Sequence, residues 1–403
     1  VTTRPLILKH LSTPRPATAA ALLCLAPIGA WIFAVLDGGF GDRSWAVVAG
    51  AIFGVALQRG ELSLVRAWRD LMSLRDAGQL LGFLAALAVA AALTLGALAL
   101  TGGGRPANAR IGPVDWLLPV AAFVFGVGSV VARGGVMVHL RRLSEGSLVA
   151  IPALAAVFLG FVVAIVHWPW TWATAIAEAP APWLPSWLGP AGTLALQLAA
   201  LAGCAALLWR YRPPASKDGP GLVHRVFIQP WPATAAGALL GCLVAASYAA
   251  GEPLGLIAEC ATIARWLATM IGLVPQTLPG LDAGVAGLKA PLLQGFALTE
   301  HVLILIGFVL GAFACAVASG RFTIEGFTRR DAVEMVLGGV MIGWGAMTAL
   351  GAVTGEAIAG VAVGALSGWI FLLFASLGII VALKLDPRSS VTAPAPPPPE
   401  PAS

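Results

Sequence analysis

Three groups of residues in this chain could do chemistry, and all three stand in unusually apolar surroundings. The first is the run Arg59, Glu61, Arg66, Arg69 and Asp70. Arg66 and Arg69 are three apart and share a face on a short helix, where they could steer an anion. The same run also reads as a basic cytoplasmic loop in which Glu61 and Asp70 are local partners. The second group is Arg133 beside Gly134 and Gly135, where a guanidinium could offer forked donors to an oxyanion. His139 follows in the same short element, either as an anion donor or as a satisfied interfacial histidine. The third is Glu356 after Thr354 and Gly355, either a proton site or a first-turn acid of a short helix. Ionisable groups inside membrane segments are costly to bury and raise a functional hypothesis by default.

No soluble-enzyme signature accompanies these groups. The chain has no GxxxxGK[ST], HExxH or GxSxG pattern, and its His and Asp residues are scattered. The expectation is a non-enzyme without cofactor or metal. The five cysteines, Cys24, Cys204, Cys242, Cys260 and Cys315, lie in or beside apolar segments with neither CxxC nor metal-ligand spacing. They read as buried small residues rather than as disulfides or a zinc site.

The elements that must position these groups are membrane helices. Of 403 residues, 59% are hydrophobic and 11% charged, which excludes an ordinary soluble domain. Spans are expected near 17–36, 77–101, 148–167, 191–209, 232–250, 300–319 and 367–385. Shorter or glycine-broken ones fall at 44–57, 114–132 and 332–350, and 253–274 is apolar but carries Glu259 and Arg265. The runs are long, Ala/Leu-rich and non-alternating, which argues against a β-barrel. The expected fold is all-α: a polytopic integral membrane protein with about nine to eleven transmembrane helices, short re-entrant helices and two internal repeats.

Loop charge sets the expected orientation. The excess of 24 Lys and Arg over 19 Asp and Glu sits in short loops, as the positive-inside rule requires, and implies no nucleic acid. The N-terminus, 58–76 and 210–225 are basic and expected in the cytoplasm. The stretch 168–190 has no Lys or Arg but holds Trp168, Trp170, Trp172, Trp183 and Trp187, which suits an external aromatic belt. The division is a cytoplasmic segment at 1–16, one transmembrane domain at 17–385 beginning with a retained first helix, and a disordered Pro-rich tail at 386–403.

Two glycine-punctuated segments read as copies of one unit. Gly126 to Val136 matches Gly343 to Val353 at five of eleven positions. A weaker ungapped pairing sets 50–70 against 311–331, which gives repeat elements 50–70 and 126–146 in one half and 311–331 and 343–360 in the other. Backbone exposed where a helix breaks must face protein or a water-filled cavity, because lipid offers it no partner. Broken segments in corresponding halves point to a transporter site, and the N-termini of half-helices favour an anionic ligand. The competing reading is that the glycines only allow close helix packing.

These elements resemble the YeeE/YedE, or sulfur-transport, family. The likeness is carried by Gly54 through Asp70, by Arg133-Gly134-Gly135 with Leu140 through Leu148, by Gly320-Arg321-Phe322, and by Gly338 through Gly355. A Pro230-Trp231-Pro232 entry followed by Gly237 and Gly241 fits as well, so that the likeness covers roughly residues 44–385. It implies a bacterial inner-membrane protein that imports thiosulfate or a related small sulfur anion along a pathway of short helices. A cytoplasmic sulfur-carrier protein is a candidate partner beside the lipid bilayer. The family's pathway thiols would fall at Ser63, Gly135 and Ala352, none of which is a cysteine here. Ser63 still donates one harder hydrogen bond. With Arg59, Arg66, Arg133, Gly134, His139, Gly351 and Glu356, these three positions make up the candidate pathway. A non-transporting relative that serves as a membrane subunit of a sulfur-handling system is the alternative.

Overall fold

A computed structural model of the chain describes residues 14–102, 104–106, 108–213, 221, 224–251, 254, 257–282 and 299–386. The expectations for 1–13, for Lys217 and for the tail beyond 386 lie outside these residues. In chain order the helices are α1 (Pro16–Leu36), α2 (Asp42–Gly60), α3 (Leu64–Leu74), α4 (Gly78–Thr101), α5 (Leu117–Val131), α6 (Val136–Ser144) and α7 (Ala150–Val166). They continue with α8 (Trp168–Thr171), α9 (Pro185–Trp209), α10 (Ala233–Ala249), α11 (Ile257–Met270), α12 (Glu300–Ala318) and α13 (Arg329–Thr348). A π-helical stretch, Val353–Ile358, runs into α14 (Ala359–Ala362), and α15 (Leu366–Leu385) follows. Only two isolated β-bridges occur among the described residues.

Seven segments are long and apolar enough to cross a membrane. The pair Ala150–Val166 and Trp168–Ile176, bent by 58°, and the shorter apolar helices Ala233–Ala249 and Val302–Ala318 bring the candidates among the described residues to ten. That lies within the expected nine to eleven. The chain is a polytopic α-helical membrane protein.

Glycines set how the helices pack. A Cβ on Gly126 would collide with the Ala375 carbonyl, one on Gly378 with Phe123, one on Gly343 with Val157 and one on Gly160 with Val340. These contacts form a reciprocal set in which α5 against α15 repeats α13 against α7. Within the set α5 and α13 run antiparallel, because Gly128 meets Gly338 while Gly345 meets Ala121. The halves are therefore related by inversion. The glycines inside α5 and α13 do not break their helices; they bring backbones together, and the breaks come later, at 132–135 and 349–352.

The second expected pairing is corrected by the same contacts. Gly50 and Gly54 of α2 press on the carbonyls of Ile304 and Phe308 in α12, and Gly237 and Gly241 of α10 press on those of Gly82 and Ala86 in α4. Hence α2 corresponds to α10, and Ala49-Gly50-Ala51 recurs as Ala236-Gly237-Ala238. The 311–331 stretch begins on the partner helix of α2 rather than on its copy.

Two faces result. At the one where α2 ends and α13 begins, Arg66 and Arg321 meet on Glu61 and Arg133 meets Asp331; at the one where α5 begins and α7 ends, Trp116 meets Trp170 edge-on and the 110–114 stretch packs near Trp183. Of the expected aromatic belt, Trp170 and Trp187 are exposed. Trp168 is instead fully buried and donates to the Pro279 carbonyl at 2.8 Å, while the Trp183 indole donates to Val363 at 2.8 Å. These two are structural pins, because a buried indole N–H needs a partner. In α11, Arg265 is buried and paired with Asp282 at 2.6 Å.

Candidate functional site

Three short helices begin with the same local grammar. Each is preceded by a non-glycine residue in the left-handed region and, two positions later, by an extended N-cap. Glu61 (φ 50°) leads to Ser63, Arg133 (φ 58°) to Gly135, and Leu350 (φ 59°) to Ala352. A left-handed L-residue costs about 1–2 kcal/mol, and strain of this kind collects at functional sites. The turns aim the starts of α3, α6 and the 353–362 helix at one another. Ser63 caps α3, its Oγ accepting from the Arg66 N–H at 3.4 Å.

The three starts line one cavity of about 70 Å³. Ser63, Leu64 and Val65 face it from α3, Gly135, Val136 and Met137 from α6, and Ala352 to Gly355 from the third helix. The remaining wall is largely apolar, with Leu57, Phe83, Phe125 and Leu240. Among the described residues no charged side chain borders it. The first N–H groups of a helix have no intrahelical acceptor and carry the positive end of its dipole. The starts of three helices therefore meet at one small, largely apolar space, an arrangement of the kind that favours an anion at helix N-termini.

Of the ten positions expected along the pathway, Ser63, Gly135 and Ala352 line this cavity. The other seven are placed otherwise. Arg59 is buried and donates to the Gln229 carbonyl. Arg66 pairs with Glu61 and, at 3.3 Å, with Asp70. Glu61 also binds Arg321, so it ties the α2–α3 break to the 320s. Residues 58–76 are thus the end of α2, a break and α3 rather than a loop. Arg133 spans Asp331 at 2.9 Å and Glu334 at 2.5 Å. His139 is fully buried, and its Nε2–H donates to the Gly134 carbonyl at 3.1 Å, which braces the break instead of facing a ligand. Gly351 packs on Glu356. The Glu356 carboxylate points away from the cavity, to a buried corner formed by Gly112 and Ser367.

The element at 321–328 stays outside the cavity as well. It pairs as extended backbone with the end of α6, Thr323 N–H to Glu145 O at 2.9 Å and Leu148 N–H to Glu325 O at 3.0 Å. One lining residue escaped the sequence reading. Ser129 in α5 is buried, and its hydroxyl has no hydrogen-bond partner among the described residues. Its signal was its place, a polar residue between Gly128 and the break.

A wider hollow of about 530 Å³ lies on the arginine-bearing face, where Arg69, Ser73, Arg133 and Glu334 border it. Three helices serve both spaces: α3 offers Ser63 and Leu64 to the cavity and Arg69 to the hollow, α5 offers Ser129 and Val130, and α15 offers Ile379 and Leu385. The hollow and the cavity thus lie along the same three helices.

The profile of the family described as Sulphur transport matches residues 59–381. The chain is 26% identical over 352 residues to the thiosulfate transporter TsuA of Spirochaeta thermophila, a match that covers 82% of this chain and 95% of that protein. It is 24% identical over 347 residues to the thiosulfate transporter TsuA of Escherichia coli, covering 83% and 91% respectively.

Proposed function

The chain belongs to the sulphur transport family, and from that premise we propose that it imports a thiosulfate-like anion across the bacterial inner membrane by way of the cavity at Ser63, Gly135 and Ala352. The observation that carries this reading is the convergence of three short-helix N-termini on one apolar-walled space. It accounts for anion preference without a buried cation. A lysine or arginine in so dry a place would hold a dianion tightly and slow its release, whereas conduction needs binding strong enough to enter and weak enough to leave. Partial charges at helix ends supply the weaker attraction.

The inversion gives the path its two directions. α6 approaches the cavity from the arginine face, and the 353–362 helix approaches from the face of Trp183, whose backbone pairs with Ala365. An anion that arrives from the tryptophan face passes the N-terminus of the 353–362 helix, rests among the donors and leaves past Ser129 and α3 into the wider hollow, which in this reading is the vestibule. Arg69 there offers a cation to the emerging anion. A cytoplasmic sulfur-carrier protein would take it up at that mouth.

The test is uptake of radiolabelled thiosulfate by proteoliposomes that hold the purified chain. Saturable uptake above that of empty vesicles is expected. Ser63→Ala should retain the fold and raise KM about threefold to tenfold, since it removes one hydroxyl donor of roughly 1 kcal/mol. No uptake by a protein that elutes as a single species would reject transport of this anion and favour the membrane-subunit alternative.

A further inference from the structure

We infer that the cavity selects its anion by oxygen atoms rather than by sulfur, so that the protein accepts tetrahedral oxodianions as a class, sulfate together with thiosulfate, with Ser129 as the hydroxyl that positions them. This rests on the transport reading above and adds a substrate range to it.

The inference follows from the donor set. None of Cys24, Cys204, Cys242, Cys260 and Cys315 borders the cavity. The polar groups that do are backbone N–H groups at three helix starts and the hydroxyl-bearing side chains of Ser63, Ser129 and Thr354. All of these are hard donors, matched to oxygen; a thiol, the weak and polarisable donor that suits a terminal sulfur, is missing from the wall. Thiosulfate and sulfate differ only in one terminal atom, sulfur in place of oxygen. A site that discriminates them needs a contact specific to that atom, and beyond its hard donors this wall offers apolar carbon and the Met137 thioether, which has no hydrogen to donate to a terminal sulfur.

Ser129 stands out among the hydroxyls. Within a helix a serine commonly satisfies itself on the carbonyl four residues back. Ser129 does not, although it is 2% exposed, and its Oγ has no partner among the described residues. It lies across from the cap of α6, 3.9 Å from where a Cβ on Gly135 would sit. A buried hydroxyl without a partner is costly, and an anion oxygen in the cavity would give it one. Ser63 already spends its oxygen on capping α3, so Ser129 is the freer of the two.

Proteoliposomes with the full chain test this by competition. Unlabelled sulfate should inhibit labelled thiosulfate uptake with a Ki within about tenfold of the thiosulfate KM, and labelled sulfate should itself be taken up. Ser129→Ala should raise both constants about fivefold to tenfold. Ser129→Cys keeps the shape but softens the donor, and should shift the preference toward thiosulfate. Thiosulfate uptake that is indifferent to a hundredfold excess of sulfate would overturn the inference and leave the transport reading intact. Equal constants in wild type, Ser129→Ala and Ser129→Cys would remove Ser129 from the account. Uptake of neither anion by well-folded protein would overturn both readings.

Discussion

Gly135→Leu is expected to reduce anion uptake to the level of empty vesicles while the protein still folds. Gly135 has an extended backbone (φ −82°, ψ −175°) that any residue adopts, and a Cβ built on it meets only Phe125 at 3.8 Å and Ser129 at 3.9 Å. The first added carbon therefore fits in ordinary contact. The three further carbons of leucine enter a space of about 70 Å³ and remove the room in which an anion would meet the helix starts. The cost to folding is small, since changing an N-cap from glycine to an aliphatic residue weakens a helix by roughly 1 kcal/mol. Gly135→Ala is the control and should retain most uptake. The pair is read by uptake together with the detergent melting temperature. Loss of uptake in both variants, or in neither, would detach the cavity from transport.

Gly343→Leu has the opposite signature: loss of the fold itself. Gly343 faces away from the cavity, and a Cβ there would collide with the Val157 carbonyl and approach Gly160. No rotamer relieves a clash with backbone, so α7 must move away from α13. Overpacking typically costs about 1–3 kcal/mol and more where backbone must shift. The inverted copy of this contact lies at Gly126 against Ala375, so Gly126→Leu should fail alike. Size-exclusion chromatography in mild detergent reads the result. The expected outcome is aggregated or proteolysed material in place of the monodisperse wild-type peak; a normal peak with normal uptake would show that this interface is not what sets the fold.

These two glycines also show what the sequence could and could not disclose. Both stand in the matched segments at 126–136 and 343–353, and their spacing was legible because backbone contact between helices leaves room for little but glycine. The spacing did not tell a glycine that packs from one that opens a cavity, since that depends on the direction in which the residue faces. The weaker pairing of 50–70 with 311–331 failed for a related reason. Gly50, Gly54, Gly307 and Gly311 belong to two helices that pack on each other. Packed partners share small residues at helical spacing whether or not they share an ancestor. The span positions, by contrast, followed directly from hydropathy.

The polar residues divide along the same line. Arg133, His139 and Glu356 could be picked out as ionisable groups in apolar surroundings, but their partners could not. Arg133 meets Asp331 and Glu334 about two hundred positions further along the chain. Glu356 turns toward Gly112 and Ser367. Ser63, Gly135 and Ala352 were reached through the family resemblance, and they come together because the two matched breaks, at 132–135 and 349–352, and the break after α2 share one left-handed turn before an extended cap. Ser129 was passed over because a serine within a helix ordinarily satisfies itself.

The most direct test of the account is to locate the bound anion. Anomalous diffraction from sulfur in crystals of the protein grown with and without thiosulfate reports its position. The anion is expected in the cavity, within hydrogen-bonding reach of the N–H groups at the starts of α3, α6 and the 353–362 helix and of the Ser129 hydroxyl. An anion found only in the vestibule beside Arg69 and Arg133, with the cavity empty at saturating thiosulfate, would contradict it.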